Sequence, residues 1–112
     1  MLYLPKGGLT LMIKKRYAKD GSTCTVTFII QTEQAADVAC ASVAGDFNNW
    51  SRTATPMKKT AEGTFEVSIK LDAGKEFHFR YLLGEDRWDN DWHADKYVQS
   101  AFRDAENSVV IV

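Results

Sequence analysis

The sequence predicts an all-β fold, an immunoglobulin-like antiparallel β-sandwich, from three observations. Apolar side chains recur at every second residue in several segments, turn-forming residues separate these segments, and the chain has 112 residues. A period of two is typical of strands that bury one face against a core. Several such strands in a chain of this length are typical of two packed antiparallel sheets.

Five segments carry the strand pattern, in this order along the chain: Cys24 to Ile30, Ala41 to Phe47, Phe65 to Leu71, Phe77 to Leu83 and Ser108 to Val112. Between them lie turn signals such as Asp20-Gly21-Ser22 and Gly84-Glu85-Asp86, residue types that favour tight turns. Residues 32–38 are the best helical candidate, but the stretch is short and we expect only a turn there.

The length predicts one domain, and 45% of its residues are apolar, enough to bury a core without metal or disulfide help. We assign residues 13–112 to a single β-sandwich. Residues 1–12 show no clear period and are expected to form a flexible N-terminal segment. Met12 is an alternative start to Met1, and the sequence leaves both open.

The charge balance and the hydropathy pattern exclude two classes of partner. A net charge of −1 provides no attraction to nucleic acid or to an anionic membrane. No apolar run approaches the ~20 residues that cross a bilayer, and the N-terminus lacks the layout of a signal peptide. We therefore expect a cytoplasmic protein. Strand alternation places Cys24 inward and Cys40 outward, so we expect two reduced thiols.

No catalytic or metal-binding arrangement emerges from the polar residues. The acidic cluster Asp86, Asp89, Asp91 and Asp95 lacks the glycine and the final glutamate of a calcium loop, so we expect a solvated loop. A glycosidase carboxylate pair would need a cleft around the sugar, which a small sandwich rarely offers. The two histidines have no partners for a triad. We expect no catalytic residue, no metal and no cofactor.

Three tryptophans in polar loops suggest a binding surface instead. Trp50 ends the turn Gly45-Asp46-Phe47-Asn48-Asn49-Trp50, and an indole offers a flat face on which a sugar ring can stack. The alternative for Trp50 is a corner residue folded over the sandwich edge. Trp88 is either a second platform or a plug that closes a hairpin. Trp92 is either a further platform or an anchor of the core or loop.

Two polar residues complete the candidate surface. Arg80 alternates outward between Phe79 and Tyr81 and presents five fixed donors, which suit sugar hydroxyls or a carboxylate. Asn107 precedes the last strand and carries both a donor and an acceptor. The alternatives are a solvated cross-strand charge for Arg80 and a turn residue for Asn107.

The segment from about Thr23 to Val112 resembles the family 48 carbohydrate-binding modules. These include the glycogen-binding domain of the AMP-activated protein kinase β subunit and the early-set domains at the N-terminus of isoamylases and branching enzymes. The chain looks most similar to stand-alone bacterial proteins of the early-set type. The resemblance rests on four segments: Gly45 to Trp50, Phe77 to Leu83, Arg87-Trp88 with Asp91, and Glu106 to Val110.

The resemblance implies roles for individual residues. The two stacking tryptophans of the kinase-type modules match Trp50 and Trp88, and the hydroxyl-binding Asn matches Asn107. The basic residue is usually Lys and is Arg80 here. Arg103 stands near a position that is apolar in the family, and Trp92 replaces a Pro.

The resulting hypothesis is a non-catalytic module that binds α-1,4-linked glucan, such as glycogen or maltodextrin. The alternative is an early-set module that docks on a protein, with a glucan-metabolising enzyme or a kinase as its partner. A small hydrolase is the third and least favoured class. Glucan length and branching, affinity, retention of binding in this chain, the protein partner and the oligomeric state stay open at this point.

Overall fold

Nine β-strands make up most of the described chain, which comprises residues 12–100 and 105–112 of this computed structural model. The strands are β1 Lys14–Tyr17, β2 Thr23–Ile30, β3 Ala41–Gly45, β4 Pro56–Lys59, β5 Phe65–Asp72, β6 Glu76–Leu83, β7 Arg87–Asp89, β8 Lys96–Gln99 and β9 Glu106–Ile111. One turn of 3-10 helix, Asp46–Asn48, follows β3. Within the described ranges, no helix is long and apolar enough to cross a bilayer.

The strands pair antiparallel throughout and form two layers that share β4. The hydrogen-bonded order is β1-β2-β5-β4-β3-β6-β9-β8, and β7 pairs with the free part of β6. Met57 of β4 lies opposite Ala41 of β3, whereas Lys58 lies opposite Glu66 of β5. β4 therefore joins the two layers at one edge. This arrangement confirms the predicted all-β sandwich.

Alternation along the strands builds the core between the layers. Val26 and Phe28 on β2 face Phe79 and Tyr81 on β6, and all four are fully buried. The rings of Phe28 and Phe79 meet edge to face with their centroids 4.8 Å apart. An edge-to-face contact of this kind adds to the free energy that area burial contributes. The period of two thus determines which side chains of β6 remain outside.

The free cysteines agree with the sequence expectation, since Cys24 is buried and Cys40 is exposed. Residues 32–37 form turns, also as expected. The expected flexible segment falls on residues 1–12, and all but Met12 of it lies outside the described residues.

Four strands and one turn depart from the sequence pattern. β1, β4, β7 and β8 have three or four residues each, too few to establish an alternation that can be recognised. Phe47 was expected in a strand row, but it lies in the 3-10 helix after Gly45. Its ring still packs on the core, with its centroid 5.4 Å from that of Phe28.

Candidate functional site

Four side chains of β6 lie on the face that points away from the core, Glu76, His78, Arg80 and the buried Leu82. We call the last three the β6 row. They alternate with the buried Phe79 and Tyr81. Side chains directly opposite each other on paired strands share one face of the sheet. The neighbours of the β6 row can therefore be obtained from the strand register.

The register brings Trp88 onto this face. Trp88 of β7 lies opposite Leu82, and Ala44 of β3 lies opposite Arg80. Ala44 is fully buried, so its methyl group is covered on this face. Trp88 keeps 38% of its surface exposed, so part of its ring is open to a ligand.

Arg80 and Asn107 meet in the middle of the β6 row. Arg80 Nε donates to Asn107 Oδ1 at 2.8 Å, and Asn107 Nδ2 lies 3.3 Å from His78 Nδ1. An unprotonated ring nitrogen accepts a hydrogen bond, so the two contacts together define which way the Asn107 amide points. The remaining Arg80 nitrogens and the second amide hydrogen of Asn107 can serve a ligand.

Trp50 is attached to the His78 end of the β6 row through Asp46. The indole Nε1 donates to Asp46 Oδ1 at 3.0 Å, and the other carboxylate oxygen accepts the backbone N–H of His78 at 2.8 Å. The indole is therefore held by its polar edge, and half-burial leaves part of the ring open. Trp50 is thus neither in the core nor free in solvent.

The loop before Trp50 is built by side-chain hydrogen bonds. Asn48 Oδ1 accepts the backbone N–H of Gly45 at 3.0 Å, while Asn48 Nδ2 donates to Val43 O and to Thr55 Oγ1. Trp50 has a φ of 58°, in the left-handed region that a bulky side chain seldom adopts. Residues held in this way cluster at functional sites, where the surroundings maintain the strain.

Arg52 was not identified from the sequence, and it contacts Trp88. Its guanidinium carbon lies 5.8 Å from the centroid of the Trp88 ring, within the range of a cation–π interaction. Arg52 Nη2 donates to the backbone oxygen of Glu85 at 2.6 Å, which fixes the side chain in place. Thirty-three residues separate Arg52 from Glu85, so no local signal indicated the contact.

Trp92 lies apart from the other candidates. It is 48% exposed and so does not anchor the core, while the alternative of a loop anchor stays a prediction. Within residues 12–100 and 105–112, no side chain of the β6 row, Trp50 or Trp88 contacts it by a hydrogen bond or ring contact. Its role as a platform stays a prediction. Arg103 lies outside the described residues.

Asp91 corrects the expectation of a solvated acidic loop, because only 2% of its surface is exposed. The Tyr81 hydroxyl donates to Asp91 Oδ2 at 2.5 Å, and the backbone N–H of His93 donates to Oδ1 at 2.6 Å. Both carboxylate oxygens are therefore occupied within the fold. Asp91 is a structural residue that anchors the loop between β7 and β8, which carries Trp92.

Burial raises the pKa of Asp91, although the hydrogen bonds from Tyr81 and His93 oppose that rise. Burial also raises the pKa of Tyr81 far above its ordinary value, and the nearby charge of Asp91 adds to the effect. Tyr81 is therefore the proton donor of this pair. Within the described ranges, no group of three or more His, Cys, Asp or Glu side chains is arranged to hold a metal ion.

Comparison with known proteins relates this chain to a protein family and to a curated relative. A segment of 46 residues is 44% identical to part of a Rhizophagus irregularis protein named 1,4-alpha-glucan-branching enzyme, and it covers 41% of this chain. The chain spans only 7% of that relative's length. Residues 17–98 match a family described as carbohydrate-binding module 48, the isoamylase N-terminal domain. This match includes Trp50, Arg80, Trp88 and Trp92, and it extends over most of the chain. The protein therefore belongs to the carbohydrate-binding module 48 family.

Proposed function

We propose that this protein is a non-catalytic module that binds α-1,4-linked glucan. Trp50 and Trp88 stack on glucose rings, while Arg80 and Asn107 bond the hydroxyl groups. The supporting observation is the β6 row, which has a tryptophan attached at each end and the Arg80–Asn107 pair between them. A sugar ring has an apolar C–H face and a rim of hydroxyls, so aromatic faces with polar groups between them suit it.

The groups that touch the tryptophans support a sugar ligand over a protein ligand. Asp46 bonds the Trp50 indole, and Arg52 lies over Trp88. The centre of a protein–protein interface is depleted in Asp and Glu but enriched in Arg and aromatic residues, so Asp46, not Arg52, is the neighbour that favours a sugar ligand. A carboxylate beside the Trp50 indole is expected where the ligand itself is covered with hydroxyl groups.

The relative's name supports the choice of glucan, because that protein is named for an α-1,4-glucan reaction. We place the module in the cytoplasm, with a glucan-metabolising enzyme as its protein partner and without nucleic acid or membrane partners. Binding on an open sheet face should be weak, since few rings are desolvated and a flexible chain must be ordered.

The test is a titration of tryptophan fluorescence with maltoheptaose. The wild type should show saturable quenching, and Trp88→Ala should lose the saturable change while it keeps its cooperative unfolding transition. Tyr17→Ala is the matched control, because Tyr17 is an aromatic residue 50% exposed on β1, in the other layer. The absence of any wild-type response at millimolar sugar would overturn the proposal.

One observation favours docking on a protein instead. Trp92 and Tyr97 are 48% and 41% exposed, and the Tyr97 hydroxyl donates to the backbone oxygen of Asp91, next to Trp92. Tyr97 lies on β8, the last strand of its layer, where exposed backbone groups can pair with another chain. This second function would be supported if the protein shows no glucan binding but binds a glucan-metabolising enzyme, and if Trp92→Ala abolishes that binding.

A further inference from the structure

A groove of about 430 Å³ opens next to Trp88 on the same layer of the sandwich. Apolar groups of Ala41, Pro56 and Leu82 are among its lining. Small-molecule sites commonly have volumes of roughly 300–1,000 Å³. The groove is therefore large enough for a ligand the size of a sugar unit.

The groove is continuous with the β6 row. Leu82 is both the last residue of that row and part of the groove lining, and it lies directly opposite Trp88. Arg52 also belongs to both places, since it lines the groove and lies over the Trp88 ring. A glucose ring stacked on Trp88 would have the groove as its immediate neighbour.

The rim of the groove offers the polar groups that a sugar needs. Arg52 uses Nη2 on the backbone oxygen of Glu85, but its Nε and Nη1 groups donate to no residue of the described ranges. Thr53 is exposed at the same rim. Free guanidinium donors and a hydroxyl above an apolar floor match the hydroxyl rim and C–H face of a pyranose.

We propose that this groove is a further sugar subsite, which holds the continuing end of the glucan chain that stacks on Trp88. Arg52 is its main hydroxyl-binding residue. This inference rests on the proposed glucan-binding function. The groove subsite lies on the far side of Trp88 from the Arg80–Asn107 pair, so it would extend the bound glucan beyond the site proposed above.

Cys40 makes the occupancy of the groove measurable. It is an exposed free thiol that lines the groove, whereas Cys24 is buried and serves as an internal control. The rate of Cys40 alkylation by iodoacetamide should fall roughly tenfold when maltoheptaose is present at about ten times its dissociation constant, by mass action. Intact-mass measurements over time give this rate.

The reverse experiment fills the groove first. The protein is modified at Cys40 with N-ethylmaleimide and then titrated with maltoheptaose. Its affinity should fall at least several-fold, whereas identically treated Cys40→Ser protein should bind as well as the untreated wild type. Because Cys40→Ser cannot be modified at this position, the control distinguishes obstruction of the groove from effects of N-ethylmaleimide elsewhere in the protein.

The two measurements distinguish loss of the groove subsite from loss of glucan binding altogether. If maltoheptaose quenches tryptophan fluorescence but leaves Cys40 alkylation unchanged, the groove subsite is overturned and glucan binding at the β6 row stands. If maltoheptaose produces neither quenching nor protection, both proposals are overturned together.

Discussion

The side chains of Arg80 and Asn107, 27 residues apart in the chain, are joined by a hydrogen bond of 2.8 Å from Nε to Oδ1. Arg80 lies on β6 and Asn107 on β9, so the pairing of these strands brings them together. The bond uses Nε and leaves the two outer guanidinium nitrogens of Arg80 without a hydrogen bond to Asn107. It also makes the two residues interdependent, since neither holds its orientation alone.

The first prediction concerns this interdependence. Asn107→Ala removes the acceptor of Arg80 Nε and the amide that we propose binds a sugar hydroxyl. Affinity for maltoheptaose should fall about 5- to 20-fold, the equivalent of roughly 1–2 kcal/mol for lost hydrogen bonds. Lys70→Ala is the control, because Lys70 is exposed on β5 in the other layer. Equal affinities of Asn107→Ala and wild type would exclude Asn107 from the site.

The second prediction concerns Asp46, which bonds both the Trp50 indole and the backbone of His78. Asp46→Ala leaves two N–H groups without their acceptor and should lower the free energy of unfolding by about 1–2 kcal/mol. Urea denaturation measures this loss. Asp86→Ala is the control, since the Asp86 side chain is 93% exposed. A loss no larger than that of the control would contradict the role assigned to Asp46.

The third prediction concerns Gly45, where the chain leaves β3. An added Cβ would lie 2.5 Å from the backbone oxygen of His78 and 2.8 Å from Cβ of Phe79. Neither atom can retreat without moving β6, so Gly45→Ala should lower the free energy of unfolding by about 3 kcal/mol, as overpacking does.

Gly74→Ala provides the comparison for Gly45. An added Cβ at Gly74 meets nothing within 4 Å, but the residue has a φ of +83°. Only the backbone penalty of roughly 1–2 kcal/mol applies there. In thermal unfolding, Gly45→Ala should therefore have a lower midpoint temperature than Gly74→Ala. The opposite order would show that β6 can shift to accommodate the added methyl group.

The fourth prediction concerns pH. Burial raises the pKa of Asp91 above its ordinary 3.8 in the folded state, so folding favours the protonated carboxyl. Its contribution to stability is complete below the unfolded-state pKa and is lost as the pH rises through the folded-state value. As the pH rises from acidic to neutral, the free energy of unfolding of the wild type should therefore fall relative to that of Asp91→Asn. A shift in its favour would mean that the hydrogen bonds from Tyr81 and His93 outweigh burial.

The fifth prediction concerns Trp92, which is exposed and lies outside the network of the β6 row. If it extends the surface, Trp92→Ala should leave maltotriose binding unchanged and weaken maltoheptaose binding about threefold or more, since one stacked ring contributes roughly 1 kcal/mol. Isothermal titration calorimetry with both sugars measures the two affinities. An equal loss for both sugars would place Trp92 within the main site.

The sequence predicted the face of β6 but not the loops around it. Alternation alone places Arg80 outside and Phe79 inside, because strand side chains have a period of two. The contacts of Arg52 with Trp88 and of Asp91 with Tyr81 have no such period. Each joins a loop residue to a strand in a way that only the folded arrangement determines, so Asp91 was assigned to solvent and Arg52 was missed.

The points at which the two tryptophans join β6 bear on the kind of polymer that the proposed site would select. Trp50 is attached at His78 and Trp88 at Leu82, and four residues of strand span about 13 Å. A hydrogen-bonded strand can neither stretch nor contract to suit a ligand, so the spacing of these two attachment points is constant. If both tryptophans stack on glucan as proposed, two polymers of the same glucose unit should differ in affinity when the pitch of their coils differs, and the protein would discriminate between glucans by shape.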